Sequence, residues 1–229
     1  MLDELHRFVD ENAERYIEWL KRLCRQPSVA AQERGMSETA TMVTELLEAV
    51  GLSAEQLPTS GYPVVYGTVA AGRKRTLSFY NHYDVQPEDP LEQWDVDPFG
   101  AGVIDGKLIA RGAADNKGNL VARLAAVHAY RQLFGELPVD ITFIVEGEEE
   151  IGSPHLPEFA SRHPAKLRAD GCIWEFGYRG PDGRQQVSLG VKGICYVELR
   201  SKGANTDLHS SQAAIVENPA WRLVWPSPR

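Results

Sequence analysis

The sequence predicts an α/β fold in which helices are layered on a mainly parallel β-sheet. Apolar runs of strand length alternate along the chain with longer segments whose apolar residues recur at helical spacing. Histidine, aspartate and glutamate residues, whose side chains can bind metal ions, follow directly after three of the apolar runs. Open α/β sheets bind ligands at the carboxyl ends of their strands, so these residues are the candidates for a functional site.

The first quarter of the chain is predicted to be helical. Apolar residues at helical spacing predict an amphipathic helix over residues 3–25, which Pro27 ends. A second helix is expected from about Ser37 to Gly51, because glycine commonly follows the last residue of a helix.

Strands and helices alternate over the remaining residues. The Asp105-Gly106 pair predicts the turn of a hairpin. Strands are predicted at 63–70, 75–83, 139–147, 170–176 and 185–201, the hairpin over 101–112, helices at 116–134 and 156–162, and a loop over 84–102.

Composition narrows the function classes. The net charge of −8 and the lack of basic clusters argue against a nucleic-acid or anionic-membrane partner. The acidic, amphipathic N-terminus does not resemble a signal peptide, and no apolar run is long enough to span a bilayer. Three widely spaced cysteines, Cys24, Cys172 and Cys195, are interpreted as reduced core thiols of a cytoplasmic protein.

His82 and Asp84 form a His-x-Asp pattern at the end of a predicted strand. Residues two apart in a strand share a face, so His82 could bind a metal while Asp84 accepts a hydrogen bond from its other ring nitrogen. The pattern is short and common, and by itself it favours two polar residues in a surface turn.

The segment "EGEEEIGS" places Glu148, Glu149 and Glu150 directly after a buried strand. One carboxylate can bind a metal while its neighbour takes a proton from metal-activated water, which suits a hydrolase. The alternative is a solvated acidic loop, which explains less well why the segment abuts an apolar run and ends in a Gly-Ser turn.

Two further carboxylates belong to the same group of candidates. Asp115 lies between a loop and a helix, where it could bridge two cations or simply cap the helix, and the cap is the better interpretation when the residue is taken alone. Glu175 follows the predicted strand "GCIW" and could equally be a solvated surface carboxylate.

Six motifs in order resemble the M20 metallopeptidases, which are co-catalytic zinc dipeptidases, aminoacylases, deacetylases and desuccinylases. The motifs are "NHYDVQP", "WDVDPF", "DGKLIARGAADNKG", "EGEEEIGS", "GVKGICYVEL" and "DLHS". The resemblance implies a three-layer αβα catalytic domain over residues 1–190. It also implies the start of a small α+β lid and dimerisation domain over residues 191–229.

The resemblance also assigns roles to residues. His82 and Glu175 correspond to ligands of a first metal, Asp115 to the carboxylate that bridges both metals, and Glu150 to a ligand of the second metal. The peptide bond after the bridging aspartate is often cis in the family.

Three residues would act beside the metals. Asp84 resembles the residue that orients the histidine ligand, and Glu149 resembles the general base. His209, in "DLHS", resembles the histidine that reaches into the partner subunit's site of a homodimer and stabilises the oxyanion. Glu148 falls where the family varies and receives no role.

The implied reaction is hydrolysis of an amide bond in a dipeptide or an N-acyl amino acid by metal-bound hydroxide. Two divalent ions are implied, zinc above all, with manganese or cobalt as alternatives. Glu175 resembles the deacylase and carboxypeptidase branches, whereas "NHYDVQP" and "WDVDPF" resemble the dipeptidase branch, so the substrate stays open.

The sequence departs from the family pattern after His209. No later histidine supplies the last ligand of the second metal, and the family-like sequence changes abruptly to "PSPR". We therefore expect a chain truncated at its C-terminus. The alternative to an active hydrolase is an inactive fragment that binds metal or dimerises.

Overall fold

The computed structural model of the chain describes residues 1–175, 177, 179–190 and 192–225. The chain divides into two compact units, Met1–Tyr178 and Arg179–Arg229. The predicted domain boundary between residues 190 and 191 stays a prediction, and Val191 and the residues of "PSPR" lie outside the described residues.

A five-stranded sheet organises the first unit, with the strand order β1-β2-β6-β3-β7. Its strands are β1 (Ser53–Leu57), β2 (Val64–Val69), β3 (Thr76–His82), β6 (Asp140–Glu146) and β7 (Gly171–Trp174). β3 pairs in parallel with β6 and β7, whereas β2 pairs antiparallel with β1 and β6. The sheet is therefore mixed rather than mainly parallel. The sequence-based prediction also omitted β1, a mostly exposed edge strand without apolar alternation.

Helices cover both faces of this sheet, as the predicted three layers require. They are α1 (Leu2–Glu11), α2 (Ala13–Arg25), α3 (Met36–Ala49), α4 (Lys117–Phe134) and α5 (Leu156–Arg162). The second unit contains a short helix of its own, α6 (Ala220–Val224). Side chains alternate across the sheet, so Phe143 packs in the core with α3 and α4. Its neighbour Ile144 packs with Phe159 of α5 on the opposite face.

The predicted helix over residues 3–25 is two helices, α1 and α2, that meet at Asn12. The Asn12 side-chain amide donates to the carbonyl oxygen of Phe8 at 2.8 Å. Asparagine competes with the helical backbone for hydrogen bonds in this way, which is the physical reason for the break. The hairpin is confirmed: β4 (Gly102–Ile104) pairs with β5 (Lys107–Ile109), and both turn residues have positive φ.

The predicted strand over residues 185–201 is wrong where the structure describes it. Its only ladder contact there is an isolated bridge between Arg179 and Gln185. Apolar residues of the segment are almost fully exposed, including Leu189 at 98% and Ile194 at 94%. Strand propensity alone does not make a strand, because each strand needs a neighbour for its backbone groups.

Candidate metal centre

The candidate residues emerge from adjacent strands of the sheet. His82 is the last residue of β3 and lies beside Glu146, the last residue of β6, in the parallel register. β7 lies on the other side of β3 and ends at Trp174. The residues that follow these three strands therefore leave the sheet at the same edge, as the sequence predicted.

His82 is the central side chain of the site and is only 1% exposed. Its Nε2 lies 2.9 Å from Oδ1 of Asp115, and its Nδ1 lies 3.1 Å from the backbone oxygen and 3.3 Å from Oδ1 of Asp84. Burial lowers the pKa of His82, but hydrogen bonds to Asp115 and Asp84 outweigh burial and raise that pKa to about 10. The imidazole is thus surrounded by carboxylates at a point where a cation is electrostatically favoured.

Asp84 is fully buried, and it contacts both His82 and the turn Glu149–Ile151, called the glutamate turn below. Its Oδ1 accepts from the backbone N–H of Glu149 at 3.2 Å, and its Oδ2 accepts from the N–H of Glu150 at 3.0 Å. A buried carboxylate that receives two amide donors and faces an imidazole is well satisfied. The arrangement fits the orienting role that the resemblance implies for Asp84.

Glu149 and Glu150 lie in a short 3₁₀ turn, Glu149–Ile151, that directly follows β6 and Glu148. Glu149 Oε2 lies 3.7 Å from Nε2 of His82. Burial raises the pKa of Glu149 to about 7, with further raising by the charges of Glu175 and Glu150 and lowering by His82. A carboxyl group with a pKa near neutrality is well matched to proton transfer at physiological pH.

Burial also raises the pKa of Glu150, although a hydrogen bond from Gln86 opposes that effect. Gln86 Nε2 donates to the backbone oxygen of Glu150 at 3.0 Å and to its Oε2 at 2.9 Å. Gln86 lies within the motif "NHYDVQP", but the sequence alone did not indicate a role for it at the site. Its spacing, two residues after Asp84, was the signal that could have placed it at the site.

Asp115 precedes a cis peptide bond to Asn116, in agreement with the resemblance. The residue that caps α4 is Asn116, so the alternative interpretation of Asp115 as the helix cap is wrong. The Asp115 side chain is half exposed and faces His82. It can therefore contact both His82 and an ion bound beside it.

Glu175 follows β7 with a positive φ of 45°, and its N–H donates to the carbonyl oxygen of Tyr80 at 3.0 Å. Its charge acts on Glu149, which places it near the other carboxylates. Glu175 is not one of the residues whose potential metal-binding atoms lie within 4.8 Å of one another.

Three residues bring potential ligand atoms within 4.8 Å of one another: His82, Glu149 and Glu150. Imidazole nitrogen and carboxylate oxygens are ligands that zinc accepts. The resemblance implies that His82 and Glu150 of this group bind metal and that Glu149 lies beside them as the base. Clustered carboxylates with raised pKa values are stabilised when a cation enters. The donor set and its geometry therefore fit a divalent metal ion.

His209 lies in the second unit, and its side chain is exposed. Its Nδ1 accepts from the backbone N–H of Ser211 at 3.2 Å and lies 3.0 Å from the Ser211 hydroxyl oxygen. Its predicted role in a partner subunit's site stays a prediction. The cysteines correct one expectation: all three are free, but only Cys24 is buried, whereas Cys172 and Cys195 are exposed.

Residues 78–223 match the model of peptidase family M20/M25/M40. The chain belongs to this family. Cys-Gly metallodipeptidase dug1 of Schizosaccharomyces pombe is 30% identical to it, and the alignment covers 97% of this chain and 51% of the relative.

Solved structures agree with this assignment. An M20 family metallo-carboxypeptidase, Sso-CP2 from Sulfolobus solfataricus, superposes with a TM-score of 0.80 at 40% identity over 93% of this chain and 48% of its own. Human carnosine dipeptidase 1 superposes with a TM-score of 0.71 at 26% identity, over 97% and 51% of the two chains. The chain spans about half the length of these relatives. No helix among the described residues combines the length and apolarity needed to cross a membrane.

Proposed function

We propose that this chain carries the metal centre of a hydrolase that cleaves amide bonds in dipeptides or N-acyl amino acids. The observation that supports it most is the approach of His82, Glu149 and Glu150 to within 4.8 Å at the strand ends. The similar dipeptidases and the similar carboxypeptidase favour a substrate with a peptide bond and a free carboxylate.

The proposed ligands of two divalent ions are His82 and Glu175 for the first, Glu150 for the second, and Asp115 between them. Zinc is the preferred ion, and manganese or cobalt are alternatives with the same donor preferences. When bound, such ions activate water and polarise a carbonyl group. Asp84 holds the imidazole of His82 and the backbone of the glutamate turn in place.

Glu149 is the proposed general base. Its carboxylate takes a proton from the attacking water and delivers it to the leaving nitrogen, so that the amide bond breaks with a neutral amine as product. The pKa of about 7 in the metal-free chain suits this exchange, and a bound cation lowers it toward the ionised form.

Two further parts of the proposal concern the assembly. We propose that His209 donates to the oxyanion of a partner subunit in a homodimer. Light scattering of the purified chain would test the dimer, and the turnover of His209→Ala would test the contribution to the oxyanion. We also propose a cytoplasmic location, because two exposed cysteines remain free thiols most readily in a reducing compartment.

The test is an assay of the purified chain with added zinc or manganese against a panel of dipeptides and N-acyl amino acids. Glu149→Gln is the matched control, because it keeps the size of the side chain and removes the base. Turnover by the wild-type chain that falls by about 10²–10⁴-fold in Glu149→Gln supports the proposal. Equal turnover in the two proteins overturns the role of Glu149.

A second candidate function is metal binding or dimerisation without hydrolysis. The observation that favours it is that the chain spans about half the length of these relatives. A folded chain that binds zinc and hydrolyses none of the panel would support this candidate.

A further inference from the structure

Glu148 is a buried carboxylate beside the site, and it has no role in the proposed reaction. It directly precedes Glu149, and its residue is only 5% exposed. Both of its side-chain oxygens lie 3.0 Å from Nδ1 of His155, the residue at the N-terminus of α5. A carboxylate only accepts hydrogen bonds, so Nδ1 of His155 is the donor.

The pair is enclosed by the loop that precedes β2. A Cβ atom built on Gly61 would lie 2.2 Å from Glu148 Oε1 and 2.4 Å from His155 Nδ1, so a larger residue there would displace the pair. The same loop is fastened to α5, because the N–H of Ser60 donates to Glu158 Oε2 at 2.9 Å. Glu148 and His155 therefore lie against this loop, with the Glu148 side chain 7% exposed and that of His155 33% exposed.

The backbone of Glu148 sets the shape of the glutamate turn. Its carbonyl oxygen accepts from the N–H of Ile151 at 3.2 Å and from the N–H of Ser153 at 2.8 Å. Asp84 binds the N–H groups of Glu149 and Glu150 from the other side. The turn is thus held at two points: by Asp84, which also contacts His82, and by Glu148, which is fixed to α5.

We propose that the Glu148–His155 pair is a positioning clamp that presents Glu149 and Glu150 to the metal site. This inference rests on the proposed function for its consequence, because the clamp matters to chemistry only if the turn binds metal. Residues that orient metal ligands are typically worth 10–100-fold in metal affinity when they are lost.

Loss of His155 would act through Glu148. A buried carboxylate without a partner is strongly disfavoured, so Glu148 would rotate toward solvent, away from the neighbouring carboxylates. This movement shifts the backbone of the turn that carries Glu149 and Glu150. The ligands would then spend less time in the geometry that a metal ion requires.

The experiment compares His155→Ala, His155→Asn and His155→Gln. The amide nitrogen of asparagine occupies the position of Nδ1 and can still donate to Glu148, whereas that of glutamine corresponds to Nε2. Ser161→Ala is the control on the same helix, because its exposed hydroxyl donates to the Glu158 carbonyl oxygen at 2.8 Å, within α5. Asparagine is also a good helix cap, so His155→Asn is repeated in a Glu148→Ala background.

Two readouts are measured for each variant. The first is the dissociation constant for Co²⁺, obtained from its visible absorption. We expect His155→Ala and His155→Gln to weaken it by about 10–100-fold, and His155→Asn to restore most of the loss only when Glu148 is present. The second is hydrogen exchange of the Glu149 and Glu150 amides in the metal-free chain, which should accelerate and recover in the same pattern.

The outcomes separate this inference from the proposed function. Unchanged affinity and unchanged amide exchange in His155→Ala overturn the clamp, whatever the wild-type chain binds. Rescue by asparagine that persists in the Glu148→Ala background also overturns it, because the effect would then come from helix capping. Wild-type chain that binds no Co²⁺ overturns the proposed metal site, and amide exchange then decides the clamp alone.

Discussion

Polar side chains are held differently in two regions of the molecule. One is the strand-end region of the first unit, residues 82–84 and 148–150, and the other surrounds His209 in the second unit. At the strand ends, His82 and Asp84 are buried and bound from several elements. In the second unit, His209 is exposed, and the hydrogen bonds of its side chain within the described residues are with Ser211. The first arrangement is set by the packing of the sheet, whereas the second is set only by local chain geometry.

The exposure of large apolar side chains also differs between the two units. Phe143 is fully buried in the sheet of the first unit, whereas Trp221 of α6 is 52% exposed and Ile194 is 94% exposed. Exposed large apolar side chains in quantity mark surfaces that interact with something else. The core of the first unit is buried, and the predictions below test whether stability and metal binding are confined to that unit.

The largest expected effect is on the core of the first unit. Phe143→Ala should lower the free energy of unfolding by about 3–5 kcal/mol, because it leaves a cavity in a closely packed sheet face. Trp221→Ala, a change of similar size at an exposed site, should alter it by less than about 1 kcal/mol. Urea denaturation of both variants measures the difference, and equal losses would remove the contrast between the units.

We expect metal binding to depend on His82 and not on His209. His82→Ala should weaken zinc affinity by at least about 100-fold, since it removes a ligand rather than an orienting residue. His209→Ala should leave the affinity within about twofold, because no metal-type residues of the described chain group around it. Calorimetric titration of each variant is the measurement, and a large loss in His209→Ala would place a metal site in the second unit.

The pH dependence should be steepest for the strand-end region. The pKa of His82 is raised from 6.5 to about 10, so the folded metal-free chain keeps a proton that the unfolded chain releases. Its stabilising contribution is complete below pH 6.5 and is lost as the pH rises toward 10. Glu149 adds a loss of the same sign between pH 4.5 and about 7.

The melting temperature of the metal-free chain should therefore fall between pH 6.5 and 8, and His82→Ala should flatten that fall. Zinc affinity should rise over the same interval, because the ion displaces the proton from its ligands. A melting temperature that rises with pH in the wild-type chain would contradict the assignment of His82.

The smallest expected effect is on thiol chemistry. Burial raises the pKa of Cys24 to about 11, although the charge of Lys117 opposes it, so its thiol stays protonated at pH 8. Cys172 and Cys195 are exposed. A disulfide reagent at pH 8 should modify two thiols per native chain and a third only after denaturation. Prompt reaction of three thiols in the native chain would show that the first unit opens readily.

Sequence reasoning succeeded where local pattern and burial agree. The strand that ends at His82, the turn at Asp105-Gly106 and the start of α5 at Leu156 follow from apolar periodicity and turn chemistry. The candidates at positions 82, 149, 150 and 175 were found because they lie at the ends of strands, whereas Asp115, at a loop-to-helix junction, depended on the resemblance. The structure brings His82, Glu149 and Glu150 together.

The remaining features depend on contacts between distant residues. The break at Asn12 needs a side-chain bond to Phe8, and the polar edge strand β1 is stabilised by pairing with β2. Glu148 could not be separated from its neighbours by sequence, because its partner His155 becomes visible only when α5 is folded. Patterns within one segment predict elements, but the partners of polar side chains come from the tertiary fold.

The central claim is that the strand ends hold the metal ions while Glu149 stays free to move a proton. Anomalous diffraction from crystals grown with zinc tests it most directly. We predict peaks bonded to His82, Asp115, Glu150 and Glu175, with the Glu149 carboxylate nearby and not bonded to an ion. Zinc bound directly by Glu149, or found only away from His82, would contradict the account.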